Sequence, residues 1–75
     1  MSTETIAGAI ERVIEAHAPT VERWRANEPG AWGFLAGKGI IAVRQAAGRP
    51  LGNAERRLVW QMLWDRLRGI RQERG

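Results

Sequence analysis

The chain has 75 residues, which suits one domain and leaves no room for two. It contains no cysteine and a single histidine, His17, which excludes a disulfide framework, a thiolate or imidazole metal cluster and a conventional catalytic triad. The formal net charge of +4 is uneven, because residues 1–30 carry −2 and residues 31–75 carry +6. We therefore predict that the chain is not an enzyme, has no cofactor or metal, and meets an acidic partner with its C-terminal half, although scattered charge equally suits a solubilising surface.

The first predicted element is an amphipathic helix over about residues 3–17. Its apolar positions recur at helical spacing and are followed by the histidine: Ile6, Ile10, Val13, Ile14, His17. Ser2 or Thr3 can cap its N-terminus. Pro19 ends it, because proline disfavours a helical conformation in the preceding residue and lacks an amide donor.

A second, short helix is predicted over residues 19–26, with Pro19 tolerated in its first turn. Val21 and Trp24 are three residues apart and are expected to be buried. Asn27 can end this helix, since asparagine tolerates the left-handed conformation of a C-terminal cap. The residues that follow, Glu-Pro-Gly, are a clear break.

The third helix is predicted over residues 31–47. Its main apolar stripe is long: Trp32, Leu35, Ala36, Gly39, Ile40, Val43, Ala47. Phe34 and Ile41 fall on the opposite side, and a helix that is apolar on two faces is usually central and packed on both. Gly33 and Gly37 each cost about 1 kcal/mol relative to alanine, so we expect a neighbouring backbone to approach them closely.

A loop, GRPLGN, precedes the fourth helix, predicted over residues 54–72 with Asn53 as its cap. At about 100° per residue, the aliphatic side chains of this helix share one arc: Leu58, Val59, Met62, Leu63, Leu67, Ile70. Four arginines share another arc: Arg56, Arg57, Arg68, Arg71. Trp60 and Trp64 fall among these arginines, with Trp60 closer to the aliphatic arc. Trp60 is therefore expected to border the core and Trp64 to be the more exposed.

No strand pattern persists beyond a few residues. The predicted fold is all-α, a compact single domain over residues 1–75 built as a bundle of three to four helices with a central third helix. The sequence has no uninterrupted apolar run of about 18 residues, and its N-terminus lacks the basic start of a secretory signal. We expect a cytoplasmic protein without a membrane partner.

Residues 13–38 read VIEAHAPTVERWRANEPGAWGFLAGK and resemble the GatB/YqeY tail domain, the small C-terminal helical domain of the aminoacyl-tRNA amidotransferase B subunit and of YqeY proteins. Eight residues match its pattern without a gap: Val21, Trp24, Asn27, Ala31, Gly33, Phe34, Leu35, Gly37. Asn27 stands where the family has its turn glycine. The apolar start of the last helix is also similar to the family's final helix, at Leu58, Val59, Met62 and Leu63.

The chain departs from the family pattern at three places. His17-Ala18-Pro19 replaces the family's Asn-Pro turn, and the basic glycine turn after the third helix comes about three residues late, at Gly48-Arg49. The last helix also continues beyond the family's usual end. The resemblance covers about two thirds of the chain, and its matching residues are mostly structural.

The resemblance implies a binding module, since this domain helps to hold the tRNA body in the amidotransferase. The candidate RNA contacts in this sequence are basic and aromatic side chains of the C-terminal half: Lys38, Arg44, Arg49, Arg56, Arg57, Arg68, Arg71, Trp64. Arginine suits bidentate phosphate recognition, and an exposed indole can stack on an unpaired base. The expected partner is tRNA or another structured RNA.

Two other interpretations fit the same residues. The tryptophans can be core, with arginine stems lying across the indole faces. Alternatively, a face of mixed tryptophan and arginine is typical of protein interfaces, so the last helix can instead bind a protein partner or a second copy of the chain.

Overall fold

The computed structural model of the chain describes residues 2–74, so Met1 and Gly75, which the predicted domain includes, lie outside the described residues. The described part contains four helices and no strand: α1 Thr3–Ala16, α2 Ala18–Arg25, α3 Ala31–Ala47, α4 Asn53–Arg74. The all-α fold class is confirmed, and each helix boundary lies within two residues of its predicted position.

Local sequence signals set the ends of α1 and α2. The Ser2 side chain accepts a hydrogen bond from the Thr5 amide at 3.2 Å, which satisfies one of the free donors at the start of α1. The chain turns at His17 and continues directly into α2, which has Pro19 in its first turn. Asn27 then adopts the predicted left-handed conformation, with φ of 60°.

The helix α3 is central, since it packs against all three other helices. The core consists of residues from every helix and from the loop before α4: Ile6, Ala9, Ile10, Val13, Val21, Trp24, Ala31, Leu35, Val43, Leu51, Val59, Leu63, Leu67. Leu35, Val43 and Leu63 are fully buried, which gives α3 and α4 a shared apolar contact.

The predicted burial is wrong on one side of α3 and at one position of α4. Phe34 and Ile41 are 44% and 40% exposed, so the second apolar face of α3 is only partly covered by its neighbours. Leu58, placed in the aliphatic arc of α4, is also exposed, because the buried arc centres on Val59 and Leu63.

The expected close approach of a backbone to Gly33 and Gly37 is also wrong. Both glycines are exposed, and a Cβ atom added to either would meet nothing within 4 Å among the described neighbours. A different glycine of α3 lies at the helix contact. A Cβ on Gly39 would lie 3.5 Å from Leu63 Cδ2 and 3.7 Å from Val59 Cγ1, which is ordinary van der Waals contact.

The N-terminus of α4 is capped one residue earlier than predicted. The helix begins at Asn53, and the Gly52 carbonyl accepts from the Arg56 amide at 3.0 Å. The Glu55 side chain in turn accepts from the Gly52 amide at 3.0 Å. This contact is half of a capping box, in which a glutamate at the third helical position bonds back to the capping residue.

Candidate nucleic-acid interface

One edge of α4 carries a continuous row of arginine and tryptophan side chains. Arg57, Trp60, Trp64, Arg68 and Arg71 follow one another at spacings of three or four residues, so they lie one above the other along the helix. We call Arg57, Trp60, Trp64 and Arg68 the α4 ridge. All four residues are exposed. Arg71, at the C-terminal end of the row, is partly buried and has a different environment.

The two tryptophans of the α4 ridge are almost equally exposed, at 41% for Trp60 and 39% for Trp64. Trp64 packs edge-on against Trp24 and Trp32, with ring centroids 5.8 Å and 5.3 Å away and both interplanar angles at 87°. These arrangements are favourable aromatic pairs. The prediction that Trp60 borders the core and that Trp64 is the more exposed is therefore wrong, because Trp64 is the indole that packs against neighbouring rings.

The predicted site omits Trp60, although its exposure equals that of Trp64 and it lies one helical turn away on the same ridge. Its position beside the aliphatic arc favours core packing. The arginines at Arg56 and Arg57, one turn before it, are the sequence signal that its side of the helix is at the surface.

Arg71 is engaged within the chain. Its guanidinium lies over the Trp24 ring, 4.1 Å from the centroid, and its Nη2 donates to the Trp24 carbonyl at 3.1 Å and to Asn27 Oδ1 at 3.3 Å. The acceptors lie at and just beyond the C-terminus of α2, where the Trp24 carbonyl also accepts from the Asn27 amide at 2.9 Å. Arg71 therefore fastens the end of α2 to α4.

Arg49 is also engaged, in a two-pronged ion pair with Glu55. Its Nη1 and Nη2 donate to the two carboxylate oxygens at 2.9 Å and 2.6 Å. The Arg49 hydrogen bonds, followed by the Gly52 amide, lower the pKa of Glu55 from its ordinary 4.5 to about 2. The same carboxylate raises the pKa of Arg49. This arginine carries little uncompensated charge.

Four of the predicted contacts are exposed arginines without an ion-pair partner among the described residues: Arg44, Arg56, Arg57, Arg68. Arg57 and Arg68 belong to the α4 ridge, and Arg56 lies one turn before Trp60. Glu55 directly precedes Arg56 but is paired with Arg49. Asp65, three residues before Arg68, accepts from the Gln61 amide nitrogen at 3.1 Å on the flank of α4 next to the ridge. The ridge is therefore locally positive.

Lys38 lies on a different side of the molecule. Its Nζ is 5.4 Å from the centroid of the Phe34 ring, which the His17 ring also meets edge-on at 5.1 Å. Lys38 lines a shallow groove with Arg12 and Val13 of α1, whereas Trp32 of the same helix faces Trp64 of α4. The predicted contacts therefore do not form one surface.

A groove of about 530 Å³ lies between α1 and α4. Ala7, Ile10 and Met62 form its apolar part, and the Arg66 guanidinium bonds both carboxylate oxygens of Glu11 at 3.1 Å beside it.

Among the described residues no group of three or more histidine, cysteine or acidic side chains is arranged to hold a metal ion. In the same range no helix is both long and apolar enough to cross a membrane.

Comparison with known proteins found no match: no family model, no curated protein and no solved structure is significantly similar to this chain.

Proposed function

We propose that the chain is a non-catalytic accessory module, similar to the GatB/YqeY tail domain, that binds tRNA or another structured RNA through the basic surface of α4. The observation that carries the proposal is the α4 ridge: two exposed indoles between two exposed arginines that have no carboxylate partner among the described residues. Nucleic-acid phosphates are the acidic partner that such a surface suits best, because arginine combines charge, planar hydrogen bonding and stacking.

The expected binding mode depends mainly on charge and shape. Arg44, Arg56, Arg57 and Arg68 are free to meet phosphates, whereas Arg49 and Arg71 are engaged within the chain. Contacts of this kind fix affinity and position with little sequence preference, as is usual for structured RNA. Affinity should therefore fall steeply as salt rises, because each neutralised phosphate releases condensed counterions.

A mobility-shift titration of tRNA, repeated from low to high salt, tests the proposal. The variant Arg57→Ala/Arg68→Ala should weaken binding at every salt concentration and reduce the slope of log K against log[salt] by about 1 for each arginine removed. Arg12→Ala/Arg23→Ala is the matched control, because it removes the same charge from exposed positions on α1 and α2. No tRNA retention at low salt, or equal losses in both double variants, would contradict the proposal.

The exposed tryptophans also favour a second candidate, a protein-interaction module. Trp60 and Trp64 are large exposed indoles beside arginines, a composition enriched at interface cores. Binding of a second copy through α4 would bury both indoles without RNA. Sedimentation at micromolar concentration separates the two candidates, since a stable dimer abolished by Trp60→Ala, without tRNA binding, favours the protein interface.

A further inference from the structure

We infer that the α4 ridge binds an unpaired segment of RNA, such as a loop or a single-stranded end, with Trp60 and Trp64 each stacking on one base. This inference rests on the proposed function and specifies the part of the RNA that meets the ridge. It adds Trp60 to the binding residues and assigns the two arginines to the phosphates on either side.

Both indoles of the α4 ridge, Trp60 and Trp64, leave a large part of their aromatic surface exposed. A phosphate does not explain this exposure, because a phosphate binds a cation or a hydrogen-bond donor and not an aromatic face. A base offers the flat apolar partner that an indole face requires, and stacking on it is tolerant of sequence. Bases within a duplex are stacked on one another and are not available to side chains on a convex helix surface.

The Trp64 ring is held in place by two neighbouring rings. Trp24 is buried and Trp32 is partly buried, and both hold Trp64 by edge-to-face contacts at 5.8 Å and 5.3 Å while 39% of its surface stays open. An exposed side chain fixed in this way loses little rotational freedom on binding. The Trp64 ring is therefore preorganised to stack on a base.

The spacing of the two indoles along α4 differs from the spacing of stacked bases. Trp60 and Trp64 are four residues apart, which corresponds to about 6 Å along the helix axis. This distance is nearly twice the roughly 3.4 Å that separates stacked bases in one strand of a duplex. Two neighbouring indoles therefore fit successive bases of a strand whose own stacking is opened, and they do not match the spacing of a continuous stack.

The two arginines of the α4 ridge lie at either end of the pair of indoles. Arg57 lies about one turn before Trp60 and Arg68 one turn after Trp64, so the arginines are about 16 Å apart along the axis. Both are exposed and have no ion pair in the described part of the chain. The order arginine, indole, indole, arginine matches a short strand whose phosphates continue beyond the two stacked bases at either end.

The test compares an unstructured oligoribonucleotide with the blunt-ended duplex that it forms with its complement, each measured by fluorescence anisotropy at low salt. The single strand should bind more tightly than the duplex and should quench tryptophan emission. Trp60→Ala should weaken single-strand binding by between about fivefold and 150-fold and weaken duplex binding much less. Trp60 is the indole to replace, because its ring makes no described contact with another aromatic ring, so the variant should fold.

Leu58→Ala is the matched control, since Leu58 is equally exposed but lies about 160° around α4 from Trp60. This variant should bind both RNAs as the wild type does. Equal affinity for strand and duplex, with no effect of Trp60→Ala, would overturn the inference and leave the proposed function standing. Binding of neither RNA would remove both, and a dimer that Trp60→Ala dissociates would replace the RNA partner with a second copy of the chain.

Discussion

The arginines of this chain differ in what their guanidinium groups already contact. Arg71 lies on the Trp24 ring and bonds the end of α2, and Arg49 holds Glu55, whereas Arg57 and Arg68 contact no described acceptor. Guanidinium groups that contact the fold contribute to its stability, whereas those that are free are available to a binding partner. The formal charge alone does not separate these roles.

Replacing Arg71 should therefore affect unfolding more than binding. Arg71→Ala removes a cation–π contact and two hydrogen bonds, so we expect the free energy of unfolding to fall by about 1–3 kcal/mol. Arg71→Lys should lower the free energy of unfolding by a similar amount, since an ammonium group cannot stack flat on the Trp24 ring as a guanidinium does. Urea denaturation measures both, with Arg68→Ala expected to stay within about 0.5 kcal/mol of the wild type. Unchanged unfolding midpoints for both Arg71 variants would contradict the conclusion that Arg71 stabilises the contact between α4 and the end of α2.

Gly33 and Gly37 occupy positions of α3 where a larger residue has room. Neither has a positive φ, and the space that a Cβ atom would occupy at either site has no described neighbour within 4 Å. Alanine at either position should raise the free energy of unfolding by about 1 kcal/mol, because it has the higher helix propensity. Gly48→Ala is the control and should destabilise, since φ at Gly48 is +72°. Destabilisation by alanine at position 33 or 37 would show that the open surface there is structurally required.

The helices and their boundaries could be predicted because their signals are local. Pro19 and Asn27 fix the ends of α2 through their own backbone preferences, and the loop at 48–52 separates α3 from α4. The lateral burial of each helix depends on where its neighbours lie. Phe34 and Trp60 both have apolar side chains on amphipathic helices, yet no neighbouring helix covers them, so the periodicity overestimates their burial.

The candidate site was predictable to the same limited extent. The basic half and the Trp-Arg pattern of α4 indicate the candidate surface, because both are properties of consecutive residues. The contact of Arg71 with Trp24 joins positions 47 residues apart in sequence, so it could not be predicted from a local sequence pattern. The clusters of arginine were therefore recognisable from sequence, but the division between engaged and free guanidinium groups was not.

The start of α4 gives a prediction about pH. The pKa of Glu55 is lowered from 4.5 to about 2, so its ionised form stabilises the folded state. This contribution is fully present above about pH 4.5 and is lost as the pH falls through about 2. Wild type should therefore melt above Glu55→Gln at neutral pH, and the two melting temperatures should converge as the pH falls from 4.5 to about 2.

The control for this pH series is Glu15→Gln, which removes an exposed carboxylate that has no ion pair among the described residues. Its melting temperature should show no such convergence with the wild type. A gap between wild type and Glu55→Gln that stays constant down to a pH of about 2 would contradict the proposed role of the Arg49 pair.

The whole molecule presents two separate basic regions. Lys38 lies over Phe34 on the side of α3 that faces α1, and the α4 ridge lies on the side where Trp32 and Trp64 meet. Because α3 is central, one partner bound along the ridge need not reach Lys38. The net charge of the C-terminal half therefore overstates the charge available to one ligand.

Lys38→Ala should consequently leave tRNA affinity within about twofold of the wild type. Arg57→Ala, which removes the same charge from the α4 ridge, should weaken it by severalfold, as expected for the loss of a phosphate contact. A filter-binding comparison at one low salt concentration is sufficient. A greater loss for Lys38→Ala than for Arg57→Ala would move the interface to the α1 side of α3.

The location of the RNA on the α4 ridge is the central claim, and a ¹H–¹⁵N NMR titration with tRNA tests it most directly. The four tryptophans give four indole N–H signals, one for each of Trp24, Trp32, Trp60 and Trp64. We expect the Trp60 and Trp64 indoles and the amides of Arg57 and Arg68 to shift most, and the buried Trp24 indole to shift least. Shifts concentrated in α1, or an unchanged spectrum at saturating tRNA, would contradict the claim.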